Sequence, residues 1–197
     1  MYAKNKQAGV TLVELVVFMV IISVALAGVF KVLEITNRGS ADPLVRKQAL
    51  SIAESLLLEI QQQPFTFCDP DDASASTAVS AADCTNSQNK GGATLASPTP
   101  VSESRYSSTD PFDNVADYGG FTMPGGGCTG ICSPGDTAPL TGLTGYAATV
   151  TVTRVGAAAP FASFASDAAL KISVRVTGPA NTDVTLTGYR VRYAPNI

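Results

Sequence analysis

The run of 21 residues from Val10 to Phe30, VTLVELVVFMVIISVALAGVF, constrains this chain more than any other feature. It carries one charge, Glu14. As a helix it would be about 32 Å long at roughly 1.5 Å per residue, enough to cross a hydrocarbon core of about 30 Å. No comparable run follows Pro64, so the slightly positive mean hydropathy of +0.19 is largely the work of this one segment.

Composition narrows the chemistry. The 197 residues include no His and no Trp. Without His there is no imidazole acid–base catalysis, no Ser-His-Asp or Cys-His nucleophile pair, and no zinc site that needs imidazole. The residues therefore point away from an enzyme, and only carboxylate chemistry stays open. A sequence pI near 4.8 argues against nucleic acid as a partner. Charge is uneven along the chain. Residues 1–64 carry six Lys/Arg against five Asp/Glu, residues 65–136 two against nine, and residues 137–197 five against two. An acidic, Ser/Thr/Gly-rich middle is thus followed by a mildly basic tail, which reads as solvated loops and then a sheet with Arg on its outer face.

Three readings compete at the N-terminus. A secretory signal peptide would need a shorter apolar core than this one. An ordinary single-span anchor is the second. The third is a prepilin signal, in which cleavage precedes the apolar run. The residues favour the third. MYAKNKQAG is a short basic leader ending in Gly9, and Val10-Thr11-Leu12-Val13-Glu14-Leu15 follows at once. This resembles the type IV prepilin motif, with Glu14 at the fifth position after the cut and Val10 where the family usually has Phe. The resemblance implies cleavage between Gly9 and Val10 by a prepilin peptidase, N-methylation of Val10, and assembly with other pilins, major and minor, through an inner-membrane platform. It also implies that Glu14 docks against the Val10 amine of a neighbouring subunit. A carboxylate inside an apolar bundle is costly, so such a partner would matter: an uncompensated buried charge costs about 3–5 kcal/mol.

Charge counting does not orient the span, because Lys4 and Lys6 on one flank face Lys31, Arg38, Arg46 and Lys47 on the other. The cysteines and the resemblance place the C-terminal part in the periplasm, anchored by a single inner-membrane pass before assembly and on a surface pilus afterwards.

A second helix is expected after the span. Arg38-Gly39-Ser40-Ala41 reads as an interruption, with Gly39 as a hinge, Asp42 as N-cap and Pro43 at the first helical position. Val45, Ala49, Ile52, Ala53, Leu56 and Ile60 recur at three- and four-residue steps as one apolar stripe, and Pro64 ends the helix. Three strands follow by alternation: Tyr146 to Val155, Leu170 to Thr177 and Val184 to Tyr193. The apolar phase of the third slips at Gly188, where a β-bulge would reset it. Gly178 to Asn181 reads as the turn between the last two strands. The fold class is therefore α+β: a long N-terminal helix, half membrane-spanning and half amphipathic, packed on a small antiparallel sheet with long disulfide-bridged loops. The divisions are a leader 1–9, an assembly helix 10–38, an amphipathic helix 39–64, a loop-rich region 65–145 and a sheet region 146–197.

Four cysteines fall in the loop region: Cys68, Cys84, Cys128 and Cys132. An even number beyond a membrane segment fits an oxidising compartment. Three pairings are open, and ease of loop closure favours Cys68–Cys84 with Cys128–Cys132. A four-Cys zinc site is disfavoured by the spacings. Two acidic clusters, Asp69/Asp71/Asp72 and Asp110/Asp113/Asp117, invite a calcium reading, but neither fits an EF-hand loop. Solvated turns and caps are the expectation for both, with no metal and no cofactor. The segments PFTFCDPDD and FDNVADYGGFT resemble minor pilins of the mannose-sensitive haemagglutinin (MSHA) type, of the D-subunit class. This implies a subunit that primes or modifies a pilus. The alternatives are a type II secretion minor pseudopilin and a membrane-anchored surface adhesin.

Overall fold

The structure is a computed structural model that describes residues 9–89, 92–96, 98 and 100–193, with the backbone alone for 35–42. The leader residues 1–8, including Lys4 and Lys6, lie outside the described residues. The chain divides into two compact units, Met1–Leu44 and Val45–Ile197.

One helix, α1, runs from Leu12 to Gln62 with Pro43 inside it. The expected interruption at 38–41 is thus absent from the backbone, and Asp42 is a helical residue, not an N-cap. The side chains of Gly39's neighbours and of Asp42 lie outside the described residues. The energetics explain the continuity. Breaking the helix would free four C=O groups on one side and four N–H groups on the other, and would require a second nucleation. Running through Pro43 forfeits a single N–H and adds a ring clash, about 3 kcal/mol.

In the first unit, Leu12–Glu34 is a 23-residue apolar stretch with mean hydropathy 2.7 and no part of it buried. The second unit has the core. Ala49, Ile52, Ala53, Leu56 and Ile60 are all buried, and Val45 packs against them, as the stripe requires. Arg46, Lys47 and Glu54 face solvent. The core's other wall is an antiparallel sheet. Its long strands are β3 (Ala147–Arg154), β4 (Ala169–Gly178) and β5 (Thr182–Val191). Registry stacks the inward side chains in rungs: Ala148, Val176 and Val184; Val150, Val174 and Leu186; Val152, Ile172 and Gly188. Thr149, Thr151, Ser173, Arg175 and Thr187 point outward (the alternation read from the sequence).

The expected bulge at Gly188 does not occur. Pairing is continuous from Ala169–Val191 to Gly178–Thr182. Gly188 keeps the inward phase, and Tyr189 points outward, 48% exposed. Glycine ends its rung because the helix fills that place: a Cβ on Gly188 would meet the Gln61 amide and lie 3.1 Å from Leu57 Cδ1. The apparent phase slip was a side chain deleted for helix packing.

Two short strands went unread in the sequence, β1 (Thr94–Leu95) and β2 (Thr122–Met123). Both pair with β3, at Val152–Thr153 and Ala148–Thr149 respectively. Leu95 is buried, and its backbone passes so close to Gly119 that a Cβ there would lie 2.7 Å from the Leu95 carbonyl.

Side-chain bonds fasten the loops to this core. The Tyr146 hydroxyl lies 2.8 Å from Gln48 Oε1 and 3.1 Å from the Val45 carbonyl. Arg105 makes a two-pronged ion pair with Glu59, Nε to Oε1 and Nη2 to Oε2, each 2.7 Å, and donates to the Cys132 carbonyl at 2.8 Å. The Tyr118 hydroxyl donates to Glu59 Oε1 at 2.9 Å. Burial works against the Arg105 cation, yet the Glu59 hydrogen bonds and charge hold its proton more tightly than usual. Arg192 lies over both Phe65 and Phe67, 4.2 and 4.5 Å from the ring centres, and pairs with Asp167.

Candidate functional site

The N-terminal segment sits at the head of α1. Gly9 and Val10 precede the first helical residue, Leu12, and Val10 is 75% exposed. Thr11 and Glu14 form a reciprocal cap. The Thr11 backbone N–H and hydroxyl both donate to Glu14 Oε2, at 3.0 and 3.1 Å, and the Glu14 N–H donates to the Thr11 hydroxyl oxygen at 3.3 Å. This is the Thr-x-x-Glu capping box, written in the sequence as Thr11-Leu12-Val13-Glu14. The Thr-x-x-Glu spacing is the sequence signal for this cap. The cap directs Oε2 toward the chain's own first turn. A carboxylate has two oxygens and about four acceptor positions, so Glu14 can cap its helix and still accept from another group. Behind it, every large apolar side chain from Leu12 to Leu33 that faces outward is unburied, among them Phe18, Ile21, Val24 and Phe30. Such a surface is stable only against lipid or other apolar helices.

The loop region holds two disulfides, Cys68–Cys84 and Cys128–Cys132, which close loops of sequence separation 16 and 4. The first anchors the segment just beyond α1, where Cys68 also bridges to Ser87 in antiparallel fashion.

The acidic residues sort into two kinds. Asp72, Asp83 and Asp117 satisfy backbone N–H groups. Asp72 accepts from Ser74 and Asn86, Asp83 from Val79 and Ser80, and Asp117 from Asn114, closing a capping box on the turn Val115–Tyr118. These hydrogen bonds hold the Asp72 and Asp83 carboxyls below their ordinary range. Asp72 and Asp117 thus take the turn-and-cap role expected of their clusters, but both are buried and not solvated, and Asp83 belongs to neither cluster. Asp69 also accepts from a backbone N–H, that of Asp71, and it meets Glu103 and Asp113 in space. One ligand atom from each lies within 4.8 Å of the other two. Asp69 and Asp113 come from the two clusters read in the sequence, and Glu103 from neither. It sits 34 residues past Asp69, so no spacing rule could have joined them. Burial, the hydrogen bond to Asp69 and the charges of Asp117, Asp69 and Asp113 push the Glu103 carboxyl up to about 10. Burial and the surrounding Asp residues push Asp113 up to about 7.

Residues 4–30 match the family model of the prokaryotic N-terminal methylation motif. No curated protein matches the chain, and no solved structure does.

Proposed function

We propose that this chain, whose residues 4–30 mark it as a type IV pilin-like prepilin, is a minor pilin of the MSHA type, D-subunit class, that primes or modifies a pilus and has no catalytic role. One observation carries the reading: the methylation motif opens directly into a 23-residue apolar stretch of helix, none of it buried among the described residues. A motif of this type implies processing by a prepilin peptidase and assembly with other pilins. On this reading the cut falls between Gly9 and Val10, Val10 is N-methylated, and the bare helix is held by the membrane first and by neighbouring pilin helices later. Glu14 then has two tasks. It caps its own helix through Thr11, and its charge meets the Val10 amine of the adjacent subunit. The disulfides fit a periplasmic C-terminal unit, and the resemblance of PFTFCDPDD and FDNVADYGGFT supports the D-subunit class.

The two tasks of Glu14 separate experimentally. Glu14→Gln keeps a hydrogen-bond acceptor for Thr11 and removes the charge, whereas Glu14→Ala removes both. If charge docking governs assembly, both variants insert in the membrane and are cleaved, and both are lost from sheared pili. Wild-type amounts of Glu14→Gln in sheared pili would refute the docking role. A gene deletion that stops exoprotein secretion while pili persist would identify a type II secretion pseudopilin. An unprocessed protein that stays in the membrane would identify an anchored adhesin.

A further inference from the structure

Three loops that are far apart in sequence bring carboxyl groups to one point in the second unit, and two of their buried oxygens have no hydrogen-bond partner. Asp69 follows the Cys68–Cys84 bridge, Glu103 sits in the turn before the Arg105 anchor, and Asp113 immediately precedes the Asn114–Asp117 capping box. Asp69 is positioned by its neighbours: its Oδ1 accepts from the Asp71 N–H at 2.8 Å and its Oδ2 from the Gln88 amide at 3.1 Å.

Glu103 supplies the independent observation. Its residue is only 6% exposed, and its Oε2 is buried with no hydrogen-bond partner. Asp113 Oδ1 is likewise buried and without a partner. Orphaned polar atoms in native interiors are rare and costly, so a pair of them beside a third carboxylate needs a compensating group. The neighbouring charges that act on Glu103 are Asp69, Asp113 and Asp117, all acidic. The nearest arginine in sequence, Arg105, is committed to Glu59.

We propose that Asp69, Glu103 and Asp113 form a calcium site that ties these three loops together. Calcium binds oxygens at about 2.3–2.6 Å, so two ligands on opposite sides of the ion stand about 4.8 Å apart. The three oxygens fall inside that span. A mostly buried, all-carboxylate set suits calcium better than magnesium, which gives up its water shell reluctantly. Glu103 also lines a surface cleft with Tyr106, Phe112, Asp117 and Gly126.

The test uses the full-length chain in detergent, stripped with EGTA and then titrated with calcium chloride. Calorimetry and thermal unfolding are read together. The expected results are saturable one-site heat and an unfolding midpoint that rises with calcium by several degrees. Glu103→Gln, which keeps the side chain's size, should weaken calcium binding ~10-fold or more, and Asp113→Asn should do the same. Asp136→Asn, an exposed carboxylate outside the cluster, should bind as the parent does. In EGTA the Glu103→Gln chain should unfold no lower than the parent, because the amide, like the neutral Glu103 carboxyl, adds no charge beside Asp69 and Asp113. No saturable heat and no midpoint shift in the parent would overturn the site, as would parent-like calcium binding by both variants.

Discussion

The Glu59–Arg105 pair gives the sharpest energetic prediction. It joins α1 to the loop before Tyr106, and its geometry is two-pronged, with both N···O distances at 2.7 Å. The Arg105 side chain is 5% exposed and that of Glu59 18%, so water screens the pair little. Removing one partner strands the other charge and unmakes bonds to Cys132 or Tyr118. The usual cost of stranding a buried partner is about 3–5 kcal/mol, and the residual exposure of Glu59 places this pair near the lower end, about 3 kcal/mol. For a chain of this size each kcal/mol moves the unfolding midpoint by about 2–4 °C, so Arg105→Met and Glu59→Met should each lower it by about 6–12 °C. Glu59→Met/Arg105→Met leaves no orphan charge and should lose less than either single variant. The assay is thermal unfolding by near-UV circular dichroism of the detergent-solubilised full chain. Single losses under about 1 kcal/mol, the range of exposed pairs, would refute the reasoning. So would a double loss equal to the sum of the singles.

Other outcomes follow from the packing. Gly188→Val places a side chain against Leu57 and Gln61. It should destabilise the chain by about 1–3 kcal/mol, as overpacking does, read as a lower midpoint in the same assay; an unchanged midpoint would mean that α1 does not press on that rung. Opening Cys68–Cys84 by a Ser pair should cost about 3 kcal/mol and opening Cys128–Cys132 about 2, since the first closes the longer loop. Urea unfolding of the two variants checks the order, and a reversed order would contradict loop closure as the source.

Much of this fold was legible because it is local or periodic. The stripe from Val45 to Ile60 and the alternation in β3 and β4 are patterns that one face of an element writes directly into sequence. Misreadings arose where a distant element set the residue. Gly188 looked like a bulge because the helix that displaces its side chain lies more than 120 residues away. Arg38 to Pro43 carries break signals, yet the cost of two new helix ends exceeds that of one lost N–H. β1 and β2 have two residues each, too few for any period to show. The N-terminal motif is legible as a motif, and Glu14's bond to Thr11 is legible too, as the Thr-x-x-Glu spacing of a capping box, which the charge of Glu14 in an apolar run overshadows. The meeting of Glu103 with Asp69 and Asp113 has no trace in sequence, since it depends on how three loops fold over the same point.

The most direct measurement is intact mass and N-terminal sequencing of the protein recovered from cells that make it. A prepilin-type subunit is predicted to begin at N-methylated Val10, with Gly9 and the eight residues before it removed. Recovery of chains that retain Gly9 and the residues before it, with an unmethylated Val10, would contradict the central claim.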